Sequence, residues 1–377
     1  MKDKILNWFK ENYNEFYKQM EIITHDHSNG NKNPFHMEGT ILVHTKMVLD
    51  WLEINENDNN SINLIFAAIL HDLGKVFTKK EDESRAHFKK HENISTYLSI
   101  DILKIAKKDF PDIDIIKILK LIAWHGSLWV RKEHDNLEEN LKILDYKYGH
   151  DLDFYKDLLK FVEADACGRI FKHKEDEDYI LEQFKFLNNF IPYDKTKYVK
   201  EKTSEVVLLV GLSGSGKSTY LSNNNFNNIH SSNGVGLHTD IHSTNRIGLH
   251  DNYEIISVDN ILSKGKLNYN SIDYKKNVKK AFDQTMKDML EAIKKDKNVI
   301  IDMTNLDKEN RRRKLSKFPS SKYHKKAIVF LNGINEIKSN LLKREDKKIP
   351  ESVIFEQMLN FELPNYDEFD EIQFIGI

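Results

Sequence analysis

At 377 residues the chain is longer than one domain usually runs, at ~100–200 residues, and has room for two. Hydrophobic residues make up 40% and aromatics 11%, which excludes a wholly disordered chain. The 57 Lys and Arg against 59 Asp and Glu leave a formal charge of −2, so any polyanion site must be a local patch, and the single cysteine, Cys167, excludes a disulfide framework or a cysteine-rich zinc module.

The opening MKDKILNWFKENYNEF reads as an amphipathic helix rather than a secretory leader, because no uninterrupted apolar segment follows the lysines. No stretch approaches the ~20 apolar residues of a membrane span. A cytoplasmic protein with no membrane partner is expected. Apolar residues then recur at helical spacing in 41–52, 61–70, 113–124 and 153–166, between polar loops, and strand signals are weak. This predicts an all-helical domain over residues 1–190.

Within it, His71-Asp72 ends the apolar run LIFAAIL. His44 lies mid-helix on the same face as Val48, where a polar ring is costly to bury alone. His91 follows the basic stretch RAHFKK, His125 closes the apolar helix IAWHG, and Asp165 sits inside the apolar FVEADA. An unpaired carboxylate there would be expensive. Imidazole and carboxylate donors suit divalent transition metals such as Mn²⁺, Co²⁺, Ni²⁺ or Cu²⁺. Six such groups exceed the needs of one metal and fit two, bridged by Asp72, an arrangement that clamps a phosphoryl group and activates a water. Lys75, a turn beyond His71, can hold a phosphate oxygen as a point charge. His25, His27, His36 and His87 read as surface or substrate-side residues.

Residues 191–203, with a proline and many charges, suit a linker. From 204 to 377 the texture changes. EVVLLV (205–210) is a buried strand, and YEIISV (253–258), NVIID (298–302), KAIVFL (326–331) and EIQFIGI (371–377) follow it, with lysine-rich helical text between, notably 273–295. Alternating strands and helices predict a mostly parallel sheet, so the fold class is α followed by α/β. The Asn-, Ser- and His-rich segment 221–252 reads as an inserted surface loop.

Directly after the first of these strands stands GLSGSGKST (211–219), a complete G-x-x-x-x-G-K-S opening a helix. The main-chain N–H groups of Gly211, Ser213, Gly214, Ser215, Gly216 and Thr219 can cradle phosphates, Lys217 can reach the β and γ oxygens of ATP, and the Ser218 hydroxyl can ligate Mg²⁺. Asp259, at a strand end, can accept a proton from an attacking hydroxyl or cap the following helix. Asp302 ends NVIID. Between 308 and 326 nine Lys or Arg stand against one acid, Glu309, which suggests a phosphate-backbone track.

The order His44, His71-Asp72, Asp165, over residues 20–185, resembles the HD-domain metal-dependent phosphohydrolases, and His91 and His125 match the extra histidines of their two-metal members. The second half, over 203–377, resembles the polynucleotide 5′-kinase branch of the P-loop phosphotransferases, in GLSGSGKST, Asp259, DMTNL with Arg311, and REDKKIPESVI followed by FELPNYDEFDEI. That resemblance implies Asp259 as general base on a 5′-OH, with Arg344 and Lys347 as lid cations. Two positions depart from it: Leu262 stands where those kinases often place an acceptor-binding arginine, and Lys347 stands at a lid arginine. Together the halves resemble the HD-type bifunctional end-healing enzymes of RNA repair. This implies ATP or another NTP with Mg²⁺, one or two divalent transition metals, RNA ends in preference to DNA as substrate, and a ligase acting downstream. The alternatives are an HD 5′-nucleotidase fused to a nucleoside-type kinase, and a regulatory ATP- and metal-binding module without turnover.

Overall fold

A computed structural model describes residues 1–52, 61–128, 137–194, 202–224, 253–264, 274–344 and 348–377. Helices α1 (Lys2–Asn12), α2 (Asn14–Ile22), α3 (Ile41–Trp51), α4 (Ser61–Leu70) and α5 (Lys75–Thr78) come first. After a short hairpin of β1 (Lys80–Glu81) and β2 (Ala86–His87) come α6 (His91–Asp109), α7 (Ile115–Trp124), α8 (Leu137–Tyr148), α9 (Leu152–Cys167) and α10 (Lys174–Asn188). The four helices expected from periodicity are present. The hairpin departs from the all-helical expectation, and its pairs of residues are too short to show alternation.

The second half runs β3 (Ser204–Val210), α11 (Lys217–Asn223), β4 (Tyr253–Ser257), α12 (Val258–Lys264), α13 (Tyr274–Lys294), β5 (Asn298–Asp302), α14 (Lys308–Leu315), β6 (Tyr323–Phe330), α15 (Ile334–Leu342), α16 (Glu351–Leu359) and β7 (Glu371–Ile375). The last five strands form one parallel sheet in the order β4-β5-β3-β6-β7. Both faces of β3 are buried, as a parallel sheet requires: Val206, Leu208 and Val210 join the large core, while Val207 and Leu209 join a smaller one with Ile300 and Ile328. The large core is continuous with the helical half, reaching Ile5 and Phe9 of α1 through α4 and α7. The stretch Ser61–Thr78 is apolar and long enough by composition to cross a membrane, but 83% of it is buried inside the protein. The loop expected over 221–252 begins inside α11, and its remainder from 225 lies outside the described residues, as does most of the expected linker, 195–201.

Candidate active sites

The helical half gathers its histidines because three packing contacts converge. His44 projects from α3, Asp165 from the last turn of α9, and His71-Asp72 from the turn after α4. Gly74 lets the start of α6 lie against that turn: a Cβ there would sit 2.1 Å from His91 O, so any side chain would push His91 away. Ser95 Oγ accepts from Gly74 N (2.7 Å) and fixes the approach.

Each of the four ring systems is oriented from behind. The Nδ1 atoms of His44, His71, His91 and His125 donate to the carbonyls of Gly168 (3.0 Å), Ala68 (2.9 Å), Phe88 (2.9 Å) and Ile122 (2.7 Å). That leaves every Nε2 turned inward, the tautomer control that metal-ligating histidines use. His44 Nε2 is 3.0 Å from Asp165 Oδ1, and His71 Nε2 stands 3.4 Å from Asp72 Oδ2 and 3.5 Å from Asp165 Oδ1. His91 Nε2 lies 3.2 Å from Asp72 Oδ1 and 3.3 Å from His125 Nε2. Asp72 thus belongs to two triads, His44–His71–Asp72 and Asp72–His91–His125, each with ligand atoms within 4.8 Å of one another.

The electrostatics favour cations. Burial alone would raise Asp72, but His71 and Lys75 hold its carboxyl well below the usual range. Burial is likewise outweighed at Asp165 by Arg169 and His44. At His71 burial works downward, yet Asp72 and Asp165 push the ring up to about 10. His125 is lowered to about 4 by burial and by His91. His71 Nε2 is fully buried without a hydrogen bond, an orphaned donor or acceptor among carboxylate oxygens. The donor set fits divalent cations.

Lys75 is buried, with Nζ 2.7 Å from Asp72 Oδ2 and 3.1 Å from His25 Nε2. His25 and His36 correct their expected surface placement: both are buried, with rings stacked at 4.1 Å and 13°. His36 Nδ1 donates to Glu38 Oε1 (2.7 Å), a carboxylate that also takes Ile170 N on Oε2 (3.0 Å). Burial and Lys75 lower His25 to about 2, so the neutral ring donates from Nδ1 to Gly39 O and accepts the Lys75 hydrogen bond on Nε2. His27 and His87 are partly exposed. Sequence reasoning also missed Arg169, whose Nη2 is 2.9 Å from Asp165 Oδ2; its spacing of four residues from Asp165 was the available signal.

In the second half the nucleotide-type residues share the carboxyl edge of the sheet, where open α/β folds bind ligands. The loop 211–216 leaves β3 and enters α11, with Lys217, Ser218 and Thr219 in that helix's first turn. Gly214 and Gly216 have φ of +83° and +90°, the left-handed region glycine tolerates. Lys217 Nζ folds back to donate to Gly211 O and Leu212 O, both at 2.8 Å. Asp302 is paired in register with Ser257 and Leu209, and burial raises its pKa against the pull of Lys217, with Asp259 adding to the rise.

Asp259 is exposed and is the second residue of α12, not its cap. Ser257 Oγ accepts from Asn260 N (3.4 Å) and takes the capping role instead. Leu262, on the same helix, is buried. Arg344 follows the C-cap of α15, Lys343, whereas Lys347 lies outside the described residues.

Five of the nine cations in 308–326 are paired with four carboxylates of the chain. Lys308 and Arg312 pair with Asp367 (2.6 and 2.8 Å), Lys326 with Glu371 (2.7 Å), and Lys322 with Asp296. Arg311 is fully buried on Glu368, with two bonds of 2.9 Å, and also donates to Leu306 O (2.6 Å). The acids lie outside the 308–326 window, so a local charge count does not register them.

Residues 41–153 match the model of the HD domain, a span that takes in His44, His71, Asp72, Lys75, His91 and His125 and ends before Asp165. Residues 206–364 match that of an AAA domain, with the phosphate loop, Asp259, Asp302 and Arg344 inside it. The chain joins an HD domain to a P-loop, kinase-like AAA domain.

Proposed function

We propose that the chain heals broken nucleic-acid ends: residues 1–190 hydrolyse a 3′-phosphate or 2′,3′-cyclic phosphate, and residues 204–377, across a linker at 191–203, phosphorylate a 5′-OH from ATP. The observation that carries the reading is the sharing of Asp72 by two histidine triads in the same chain as an intact phosphate loop. RNA ends, a ligase downstream and a cytoplasmic setting belong to the same proposal.

In the helical half, His44, His71, Asp72 and Asp165 would hold one divalent transition metal and Asp72, His91 and His125 a second, which when bound supply charge neutralisation for a phosphoryl group and an acidified water. Arg169, already on Asp165, and Lys75, on Asp72, are the cations placed to take phosphate oxygens. His25 and Glu38 keep Lys75 and the His36 ring in place.

In the second half, Lys217 exchanges the Gly211 and Leu212 carbonyls for the β and γ oxygens of ATP, and Ser218 takes Mg²⁺. The exposed Asp259 accepts the proton of the attacking 5′-OH, and Arg344 with Lys347 close over the transferring group.

A second reading, an HD 5′-nucleotidase joined to a nucleoside-type kinase, draws on the internal pairing of the 308–326 cations, which leaves less charge for a polyanion. The two readings separate in one comparison. With ATP present, a 5′-OH oligonucleotide should be a far better acceptor than a free nucleoside, and its use should weaken steeply with salt. Equal use of nucleoside and oligonucleotide would favour the second reading.

A further inference from the structure

Helix α6 begins at His91, which faces Asp72, and its body carries the two helices that flank the phosphate loop. Asn93 Nδ2 donates to Leu359 O at the end of α16 (2.8 Å), and Lys90 Nζ donates to Asn360 Oδ1 (2.5 Å). The Tyr97 ring meets Phe361 edge-on at 4.9 Å. Further along α6, Asp101 meets the start of α15. That helix opens at Gly333, which has no side chain to offer as a cap. Asp101 Oδ2 accepts from Asn335 N (3.3 Å) in its place, so a carboxylate of the helical half caps a helix of the kinase-like half. The contact is close: a Cβ on Gly333 would lie 1.7 Å from Asp101 Oδ1, so an alanine there would displace the carboxylate.

The far end of α15 and the last turn of α16 hold the phosphate loop. Asn340 Nδ2 of α15 donates to Gly214 O (3.0 Å), and a Cβ on Gly214 would stand 3.0 Å from Leu341 Cγ. Gln357 of α16 accepts from Ser213 N (2.8 Å) and donates to Ser213 Oγ (3.0 Å). Ser213 and Gly214 belong to the loop whose N–H groups must face the phosphates.

We propose that Asp101 is a positioning residue for the nucleotide site: by capping α15 it sets where Asn340 and Leu341 hold Gly214, and with it the phosphate loop. The inference rests on reading that loop as an ATP site. A misplaced loop and a merely less stable protein differ in kinetics. The first weakens ATP and raises its KM with kcat near wild type; the second lowers the active fraction, and so kcat, with KM unchanged.

The test uses the full chain, measuring ATP·Mg²⁺ affinity by calorimetry and KM for ATP at saturating 5′-OH acceptor. Asp101→Ala should weaken ATP by about three- to tenfold, the scale of a lost cap transmitted to the loop, while 3′-phosphate hydrolysis is unchanged. Asp101→Asn, a near-equal cap, should return ATP affinity to within about twofold of wild type. Gly333→Ala displaces the same carboxylate from the other side and should weaken ATP similarly, which keeps the test open if Asp101→Ala does not fold. ATP affinity unchanged in folded Asp101→Ala or Gly333→Ala overturns the inference, as does Asp101→Asn binding as weakly as Asp101→Ala. A wild-type chain that binds no ATP ends the kinase reading itself, and this inference with it.

Discussion

Asp72 Oδ1 lies 3.2 Å from His91 Nε2, and this contact makes one carboxylate common to both histidine triads. Its other oxygen is 3.4 Å from His71 Nε2 and 2.7 Å from Lys75 Nζ, so Asp72 is the hinge of the whole cluster. Removing it strips both triads at once, and its ion-pair partners among the described residues all belong to the helical half.

That separation predicts opposite phenotypes for two substitutions. Asp72→Ala should abolish 3′-phosphate removal and leave 5′-phosphorylation intact, and Lys217→Ala should do the reverse. Loss of both activities in either folded variant, read on the same oligonucleotide, would contradict the assignment of one reaction to each half.

Metal uptake should be coupled to proton release at His71. Without metal its pKa stands at about 10, burial being outweighed by Asp72 and Asp165, so the ring is protonated at neutral pH. A metal needs the Nε2 lone pair and must displace that proton. Affinity for Mn²⁺ or Co²⁺ should therefore tighten as pH rises from 6 to 9, towards the pKa, with proton release visible in calorimetry in two buffers. A pH-independent affinity would show that His71 is not a ligand. The same donor set should give little phosphatase activity with Mg²⁺ alone after tight metal is stripped.

The two candidate sites were legible in the sequence to different depths. Helical periodicity placed His44, and the strand-glycine-helix order placed Lys217, because both follow from local pattern. The burial of His25, His36 and Glu38 was not legible, since the segment 24–40 is a loop whose packing is set by α3 and the Pro34–Lys172 and Met37–Ile170 backbone contacts. The internal pairing of the basic stretch was not legible for the same reason: its partners Asp367, Glu368 and Glu371 arrive only through the C-terminal segment. Asp259 was read at a strand end and stands two residues past β4, inside α12; its exclusion from the cap depends on Ser257, which only the hydrogen bond to Asn260 reveals.

With capping excluded, Asp259 can be tested for chemistry alone. Asp259→Asn preserves shape and removes the ability to take a proton, and should lower 5′-kinase activity by at least ~10²-fold with 3′-phosphatase activity unchanged. A near-wild-type rate would move the base to Asp302, whose pKa burial raises.

Cys167 should be a poor nucleophile. Burial, with Glu163 beside it, pushes its thiol up to about 12, so little thiolate exists at pH 8. Alkylation by iodoacetamide in the folded protein should run roughly a hundredfold or more slower than for an unperturbed thiol, and recover on unfolding. Rapid labelling of the native chain would contradict the half-buried, high-pKa setting of Cys167 at the end of α9.

The most direct measurement of the central claim is a single incubation of the full chain with an RNA oligonucleotide bearing a 5′-OH and a 3′-phosphate, ATP, Mg²⁺ and Mn²⁺, with both ends read. The account predicts one product carrying a 5′-phosphate and a 3′-OH, formed by two reactions that Lys217→Ala and Asp72→Ala remove separately. An oligonucleotide recovered with both ends unchanged, while free nucleosides and nucleotides are turned over, would contradict it.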